Sequence, residues 1–331
     1  MSITHSIIQQ DHSLDAETLR RQFAHDVLKG LSQPHKSIPC KYIYDERGSE
    51  LFCKIMELPE YYLTGCEKNS LDAHKGVISD TIGRGHSNLI ELGAGDGMKT
   101  KILIRHLLEC DHDFQYCPID ISESAVVNLS YCLNREYPGL KIKGLVTDYF
   151  QGLTWLSQQN NSKNIVLFLG SNIGNFFPRE AMDFLKHLRG SINKGDYLLI
   201  GFDLKKDINT MVKAYNDAQG ITEQFITNIL SRINRELGGE FDIDCFRYFS
   251  TWDDLSGAIK SYLISTCDQK VHIRHLNTSF NFNHGEVIHT ESSHKFTTDQ
   301  CSVMAEEAGF KVVENYFDDR NYFVDSLWIA I

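Results

Sequence analysis

The stretch "LIELGAGDGMKT", residues 89–100, joins an apolar run to an amphipathic one through glycines at 93, 95 and 97. Glycines this dense mark a backbone that turns through conformations closed to L side chains, or one that a ligand approaches too closely for a Cβ. At the carboxyl end of a first strand, such a turn is where open α/β sheets bind nucleotide-like ligands. The spacing is Gly-x-Gly-x-Gly. It lacks the extra residue of the dinucleotide fingerprint Gly-x-Gly-x-x-Gly, which seats a pyrophosphate on the helix that follows, so an NAD-linked dehydrogenase is disfavoured.

Outward from the turn, "SNLIEL", "FQYCPIDI", "LKIKGLVTD", "NIVLFLG" and "DYLLIGFDL" read as short apolar strands, with "MKTKILIRHLLEC", "SAVVNLSYCLNREY" and "PREAMDFLKHLRG" as helices among them. This alternation predicts a parallel sheet with helices on both faces. It breaks after Leu204, where "NTMVKAYNDA" and "ITEQFITNILSRINREL" read as successive helices, followed by the strand-like "AIKSYLIST", "VHIRHL" and "EVIHTESSHKF". Helix then strand resumes with "TTDQCSVMAEEAGF" and "KVVENYF", and "DSLWIAI" is expected as a final antiparallel strand. The first sixty residues look mostly helical, with apolar residues at helical spacing through Leu19, Phe23, Val27 and Leu31 and a second helix expected over Ser49 to Met56. The helical N-terminus and the 205–295 segment are expected to form one auxiliary domain.

Two acids extend the glycine signal. Asp120 ends the second core strand in "CPIDIS", where a carboxylate can accept from both hydroxyls of a ribose. Asp148 ends the third in "GLVTDYF". A helix N-cap would put an acid at either place, so neither is decisive alone. The ordered set, with Glu91 two residues ahead of the turn, resembles class I S-adenosylmethionine methyltransferases, in which the acid at the position of Asp148 accepts from the adenine amino group.

Composition narrows the partners. The 331 residues carry a net charge of −11, which disfavours nucleic acid and anionic membranes, both of which require clustered Lys and Arg. No run approaches the roughly 18 apolar residues of a membrane span, and "MSITHSIIQQDHSLDAETLRRQ" lacks the order of a signal peptide, so a cytoplasmic protein is expected. The nine cysteines are scattered and never spaced Cys-x-x-Cys, as expected of reduced thiols.

Five blocks, "KYIYDERGSELFCKIMELPEYYLT", "ELGAGDGMKT", "FLGSNIGN", "KAYNDAQGITEQFITNILSRINRELGGEFD" and "TESSHKF", together resemble the histidine N-alpha-methyltransferases of ergothioneine biosynthesis, from about Lys36 to the C-terminus. The resemblance implies a class I, Rossmann-like α/β core over 65–204 and 296–331, with an inserted α+β substrate-binding domain over 9–64 and 205–295. It implies S-adenosylmethionine bound by Tyr44, Gly93, Gly95, Lys99, Asp120 and Asp148, and no metal. The amino acid, L-histidine in that family, is implied to be held by Tyr61, Asn175, Tyr215, Glu291 and Ser293. A monomer acting on a small molecule is expected, trimethylating the alpha-amine to hercynine. Alternatives are a relative acting on tryptophan or another aromatic amine, and a non-catalytic binder of S-adenosylmethionine or a betaine. The sequence departs from the family at Asp96 and Met98, where small hydroxyl residues are commoner, and in "EYYLTG", which lacks the usual proline and arginine. At Ser261 the family's histidine enzymes often carry methionine.

The histidines of "HTESSHKF", residues 289–296, raise a metal site. Strand alternation argues against it, because it puts His289, Glu291 and Ser293 on one face and Thr290, Ser292 and His294 on the other. The "HIRH" at 272–275 likewise splits its histidines.

Overall fold

The computed structural model describes residues 5–8, 16–158 and 162–331. It divides into two compact units. One holds Leu63–Lys205 and Lys295–Ile331 with the strand at 5–8; the other holds the described residues from 16 to Tyr62 together with Lys206–His294. The boundary expected at residue 9 lies outside the described residues.

The chain begins with β1 (His5–Ile8), α1 (Ala16–Leu31), α2 (Glu46–Met56) and α3 (Tyr62–Ile82). Strand and helix then alternate through β2 (Ser87–Leu92), α4 (Thr100–Glu109), β3 (Phe114–Asp120), α5 (Glu123–Glu136), β4 (Lys141–Val146), α6 (Tyr149–Ser157), β5 (Lys163–Phe168), α7 (Pro178–Ser191) and β6 (Tyr197–Asp203). Next come α8 (Ile208–Lys213), α9 (Ile221–Leu237), β7 (Phe246–Asp253), β8 (Ala258–Ser265), β9 (Gln269–Ile273), β10 (Thr278–Phe282) and β11 (Val287–His294). α10 (Thr298–Glu307), β12 (Phe310–Phe317) and β13 (Phe323–Ala330) close the chain.

The first unit is built on an eight-stranded sheet of order β1-β4-β3-β2-β5-β6-β13-β12. Strands β1 to β6 run parallel; β13 lies antiparallel to β6 and β12 antiparallel to β13. The expected final antiparallel strand is therefore interior, and the edge positions belong to β12 and to β1, which no reading of the N-terminus anticipated. Every residue of β2 is buried, as a central strand covered on both faces requires. Ile90 and Leu92 join a core with Leu153 of α6, Phe184 of α7 and Ala305 of α10. Leu89 joins another with Ile78 of α3, Ile104 of α4 and Leu133 of α5. Each such Leu or Ile contributes about 1.5–3 kcal/mol by leaving water. The strand order reverses direction between β2 and β5, the switch point that places a crevice at their carboxyl ends.

In the second unit α1, α2 and α9 pack around one core through residues such as Val27, Leu51 and Ile229. The same core takes Leu263 and Ile288 from an antiparallel sheet of order β11-β8-β7, and Phe282 from the β9–β10 hairpin. The sequence reading lacked α3, α6, β7 and β10. Of these α6 is only 9 residues long, and β7 is half-buried along most of its length, so neither presents a clean period.

Candidate active site

In the first unit the glycine turn lies at the switch point. Gly93, Gly95 and Gly97 all have positive φ, at 74°, 53° and 65°. A Cβ on Gly93 would lie 2.6 Å from the Tyr149 hydroxyl, and one on Gly97 2.4 Å from Leu129 Cδ1. At Gly95 nothing lies within 4 Å of that position, so the backbone there faces open space. The motif thus combines two close packings with one bare stretch of backbone.

Glu91, fully buried at the end of β2, accepts hydrogen bonds from the Thr100 hydroxyl at the start of α4 and from Tyr116 on β3. It clasps both sides of the turn. Burial pushes its carboxyl up to about 7 in spite of those two donors and the nearby Lys99 charge.

Asp120 accepts from the Gly95 backbone N–H at 3.0 Å and from Ser122 N–H at 2.9 Å. Burial still raises its pKa above the ordinary value, with those backbone donors working against the shift. A carboxylate in this condition gains from further donors, which the two hydroxyls of a ribose would supply. Asp148 is exposed and caps α6, accepting from Gln151 N–H at 2.9 Å through Oδ1. The cap assignment and an adenine contact through Oδ2 are compatible.

Lys99 extends to Glu67 of α3, with Nζ 2.6 Å from Oε2. The other oxygen of Glu67 accepts from the Gly170 N–H, also at 2.6 Å. Glu67 is 1% exposed, so this carboxylate ties α3, the glycine turn and the loop after β5 together within the unit. A Cβ on Gly170 would come within 2.8 Å of Lys99 Nζ. Sequence reasoning missed Glu67, which stands beside Lys68 in a polar run of α3 and carries no signal that sets it apart from the other acids of that helix. Asn175 sits half-buried in the 3-10 turn Asn172–Asn175, after Ser171, which holds a left-handed φ of 54°. Ser171 Oγ accepts from the Asp203 backbone N–H at 2.9 Å. Asp203 in turn pairs with Lys295 at 2.8 Å, both side chains fully buried.

The second unit gathers Tyr44, Tyr61, Tyr215, Glu291 and Ser293. Tyr215 is 7% exposed just past α8, and its hydroxyl lies 2.7 Å from Ser293 Oγ on β11. Its ring meets that of Tyr61 at a centroid distance of 6.2 Å, and Tyr61 meets Phe52 at 6.1 Å. Tyr44 packs on Phe52 at 5.5 Å and on Phe225 at 5.2 Å. Tyr44 therefore belongs to the aromatic cluster of Tyr61, while Asn175 belongs to the unit of the glycine turn. Asp217 anchors the region beside Tyr215 by accepting from the backbone N–H groups of Ile221 at 2.9 Å and Thr222 at 2.8 Å. Burial works against the Asp217 carboxylate, yet those bonds and the Thr222 side chain leave its pKa lowered.

Glu291 and Ser293 are both buried on β11, opposite Ser261 and Ile259 of β8. Between His289 and Glu291 the register slips by one residue. This β-bulge corrects the expected alternation, because an extra residue on one strand turns the following side chains over. His289 accordingly pairs with Ser292, Nε2 to Oγ 2.9 Å, and not with the face of Glu291. Burial lowers the pKa of His289, with Lys260 adding to the effect. Among the described residues no group of three or more His, Cys, Asp or Glu could hold a metal ion. Nor is any described helix long and apolar enough to cross a membrane.

Comparison with known proteins bears on what these two regions do. The model of a family described as histidine-specific, SAM-dependent methyltransferase matches residues 23–330. The chain is 35% identical over 302 residues to a histidine N-alpha-methyltransferase of Mycobacterium tuberculosis (strain CDC 1551 / Oshkosh), spanning 91% of this chain and 93% of that protein. It is 34% identical over 312 residues to the histidine N-alpha-methyltransferase of Mycolicibacterium smegmatis (strain ATCC 700084 / mc(2)155), spanning 94% and 95%. Among solved structures, the mitomycin 7-O-methyltransferase MmcR aligns with a TM-score of 0.49 at 10% identity, covering 94% of this chain and 67% of that one. With a match that leaves out only the first 22 residues and the last one, and a nucleoside-type glycine turn at the switch point of its sheet, the chain belongs to the histidine-specific, S-adenosylmethionine-dependent methyltransferase family.

Proposed function

We propose that the protein transfers methyl groups from S-adenosylmethionine to the alpha-amine of free L-histidine, three times in succession, giving hercynine as the first step of ergothioneine biosynthesis. The observation that carries the substrate assignment is the buried group of Glu291, Ser293 and Tyr215 in the second unit. A carboxylate acceptor beside a hydroxyl pair suits an imidazole, which offers an N–H and a second nitrogen. An indole has no second nitrogen and leaves the hydroxyl pair unmatched.

The residue assignments divide by chemistry. Gly95 offers bare backbone and Gly93 the tight turn that leads to it, Asp120 takes the ribose hydroxyls, Asp148 the adenine amino group, and Lys99 and Tyr44 complete the cofactor contacts. Tyr61, Asn175 and Tyr215 orient the amino-acid backbone, while Glu291 and Ser293 read its ring. The first unit is thus the cofactor-binding core and the second the substrate-binding domain. The protein acts in the cytoplasm as a monomer, without nucleic acid or membrane partners, in keeping with its net charge of −11.

When bound, S-adenosylmethionine supplies an electrophilic methyl carbon on a sulfonium. The protein's task is placement. A chain-terminal alpha-amine has a pKa of roughly 7.7–8.0 and that of a free amino acid lies somewhat higher, so a neutral fraction exists near physiological pH and no strong dedicated base is needed. Phenol and amide groups hold the amine on the line of attack, a proximity effect worth several kcal/mol. Water then receives the proton, either directly or through a tyrosine hydroxyl that accepts it while passing its own proton on to water.

Incubation with S-adenosylmethionine and either histidine or tryptophan, followed by mass spectrometry, tests the reading. Histidine gaining three methyl groups is the expected result. Transfer to tryptophan alone overturns the substrate, and no transfer to either leaves a binding protein.

A further inference from the structure

Tyr248, on a strand that no motif announces, meets the same region of the second unit. Its hydroxyl lies 2.7 Å from the backbone carbonyl of Tyr215 and 3.2 Å from Ser261 Oγ. A carbonyl can only accept, so the single phenolic hydrogen of Tyr248 is committed to Tyr215. The Ser261 hydroxyl must then donate to Tyr248. Having spent its one hydrogen there, Ser261 can act towards any other group only as an acceptor.

The sheet register says where that acceptor sits. Ser261 is directly opposite Glu291 on β11 and opposite Ser250 on β7. Directly opposed residues in antiparallel strands share a face, so Ser250, Ser261 and Glu291 form one row across three strands. Ser250 Oγ adds a weaker hydrogen bond to the same Tyr215 carbonyl, at 3.4 Å. Tyr215 is therefore held at both ends: by its backbone through Tyr248 and Ser250, and by its phenol through Ser293.

We propose that Tyr248 is a positioning and specificity residue of the amino-acid site, anchoring Tyr215 and fixing the Ser261 hydroxyl as a second acceptor beside Glu291. This rests on the reading that Glu291 and Tyr215 hold the amino acid. A ring with an N–H and a lone-pair nitrogen then meets acceptors on the Ser261–Glu291 side and a hydroxyl donor on the Tyr215–Ser293 side. A ring with an N–H alone satisfies only the first.

The test is steady-state kinetics of Tyr248→Phe with histidine and tryptophan as competing acceptors. The KM for histidine should rise about 10-fold and the histidine-to-tryptophan ratio of kcat/KM fall about as much, with the KM for S-adenosylmethionine within about 2-fold of the parent. An unchanged histidine KM and acceptor ratio overturns the proposal, as does an equal rise in both KM values, which marks general damage. Should Tyr248→Phe fail to fold, Ser261→Ala carries the test: a falling acceptor ratio supports the proposal and an unchanged one overturns it. Glu291→Gln reports on the underlying reading alone. No effect on histidine there overturns both readings, whereas an effect there with none from Tyr248→Phe overturns only this proposal.

Discussion

The glycine turn after β2 and the bulged strand β11 solve the same problem by opposite means. The turn exposes backbone by removing side chains: three glycines with positive φ, two of them in contact where a Cβ cannot fit. The bulged strand instead concentrates side chains, using one slipped residue to bring Glu291 opposite Ser261 while His289 turns to Ser292. A backbone site tolerates almost no substitution at its glycines. A side-chain site can be retuned residue by residue, which suits the amino-acid-reading role proposed for this region.

The largest effect should come from the backbone site. Gly93→Val places a branched side chain where the Tyr149 hydroxyl already stands, at a φ of 74° that β-branched residues rarely adopt. By calorimetry its affinity for S-adenosylmethionine should drop by on the order of 100-fold, because the clash and the strained φ, worth about 1–3 kcal/mol for the backbone alone, displace the turn proposed to receive the ligand. Retained affinity would break the contrast with the side-chain site.

Next comes Glu291→Ala, which should raise the KM for histidine by about 10-fold or more and leave that for S-adenosylmethionine nearly unchanged, since it removes a hydrogen-bond partner of the acceptor alone. Parallel increases in both constants would mean that the two regions are not energetically separable.

Lys99→Met isolates the structural part of the backbone site. It leaves the buried Glu67 carboxylate without its ammonium, and loss of one partner of such a pair should cost about 3 kcal/mol in denaturant unfolding. A stability change below about 1 kcal/mol, the value of an exposed pair, would show that Glu67 needs no cation.

A pH series sharpens the role of Glu91. Its folded pKa, about 7, lies above the ordinary 4.5, so folding favours the protonated carboxyl. That contribution to stability is complete below the unfolded value and is lost as pH rises through about 7. Thermal melts of Glu91→Gln should therefore fall less steeply than those of the parent between these pH values. Identical slopes would remove Glu91 from the titration.

The smallest effect is expected for Ser292→Ala, which removes the partner of His289 and should cost roughly 1 kcal/mol of stability without moving either KM. A marked change in histidine KM would put Ser292 on the substrate face and contradict the consequence drawn from the bulge.

Much of the first unit was legible because its signals are local. Gly-x-Gly-x-Gly restricts φ wherever it occurs, and strand-to-helix alternation sets the parallel sheet through the handedness of crossover connections. Asp120 and Asp148 were singled out from the sequence as strand-end acids; Asp120 does end β3, whereas Asp148 lies two residues past β4 and caps α6. Glu67 escaped because nothing in α3 signals that its carboxylate meets Lys99 and Gly170, which lie 32 and 103 residues away. In the second unit the resemblance named Tyr215, Glu291 and Ser293. Alternation kept Glu291 and Ser293 on one face correctly but placed His289 with them incorrectly, because a bulge depends on the pairing partner and not on the strand itself.

By itself the sequence determined the fold class and the place of the glycine turn, since glycine's freedom and the periods of strand and helix act over a few neighbouring residues, while the family came through the resemblance of five motif blocks. Only the tertiary structure decided which carboxylate holds Lys99, which face Glu291 shares and which hydroxyl fixes Ser261. Those are set by register and packing between segments far apart in the chain, where one slipped residue reverses a face.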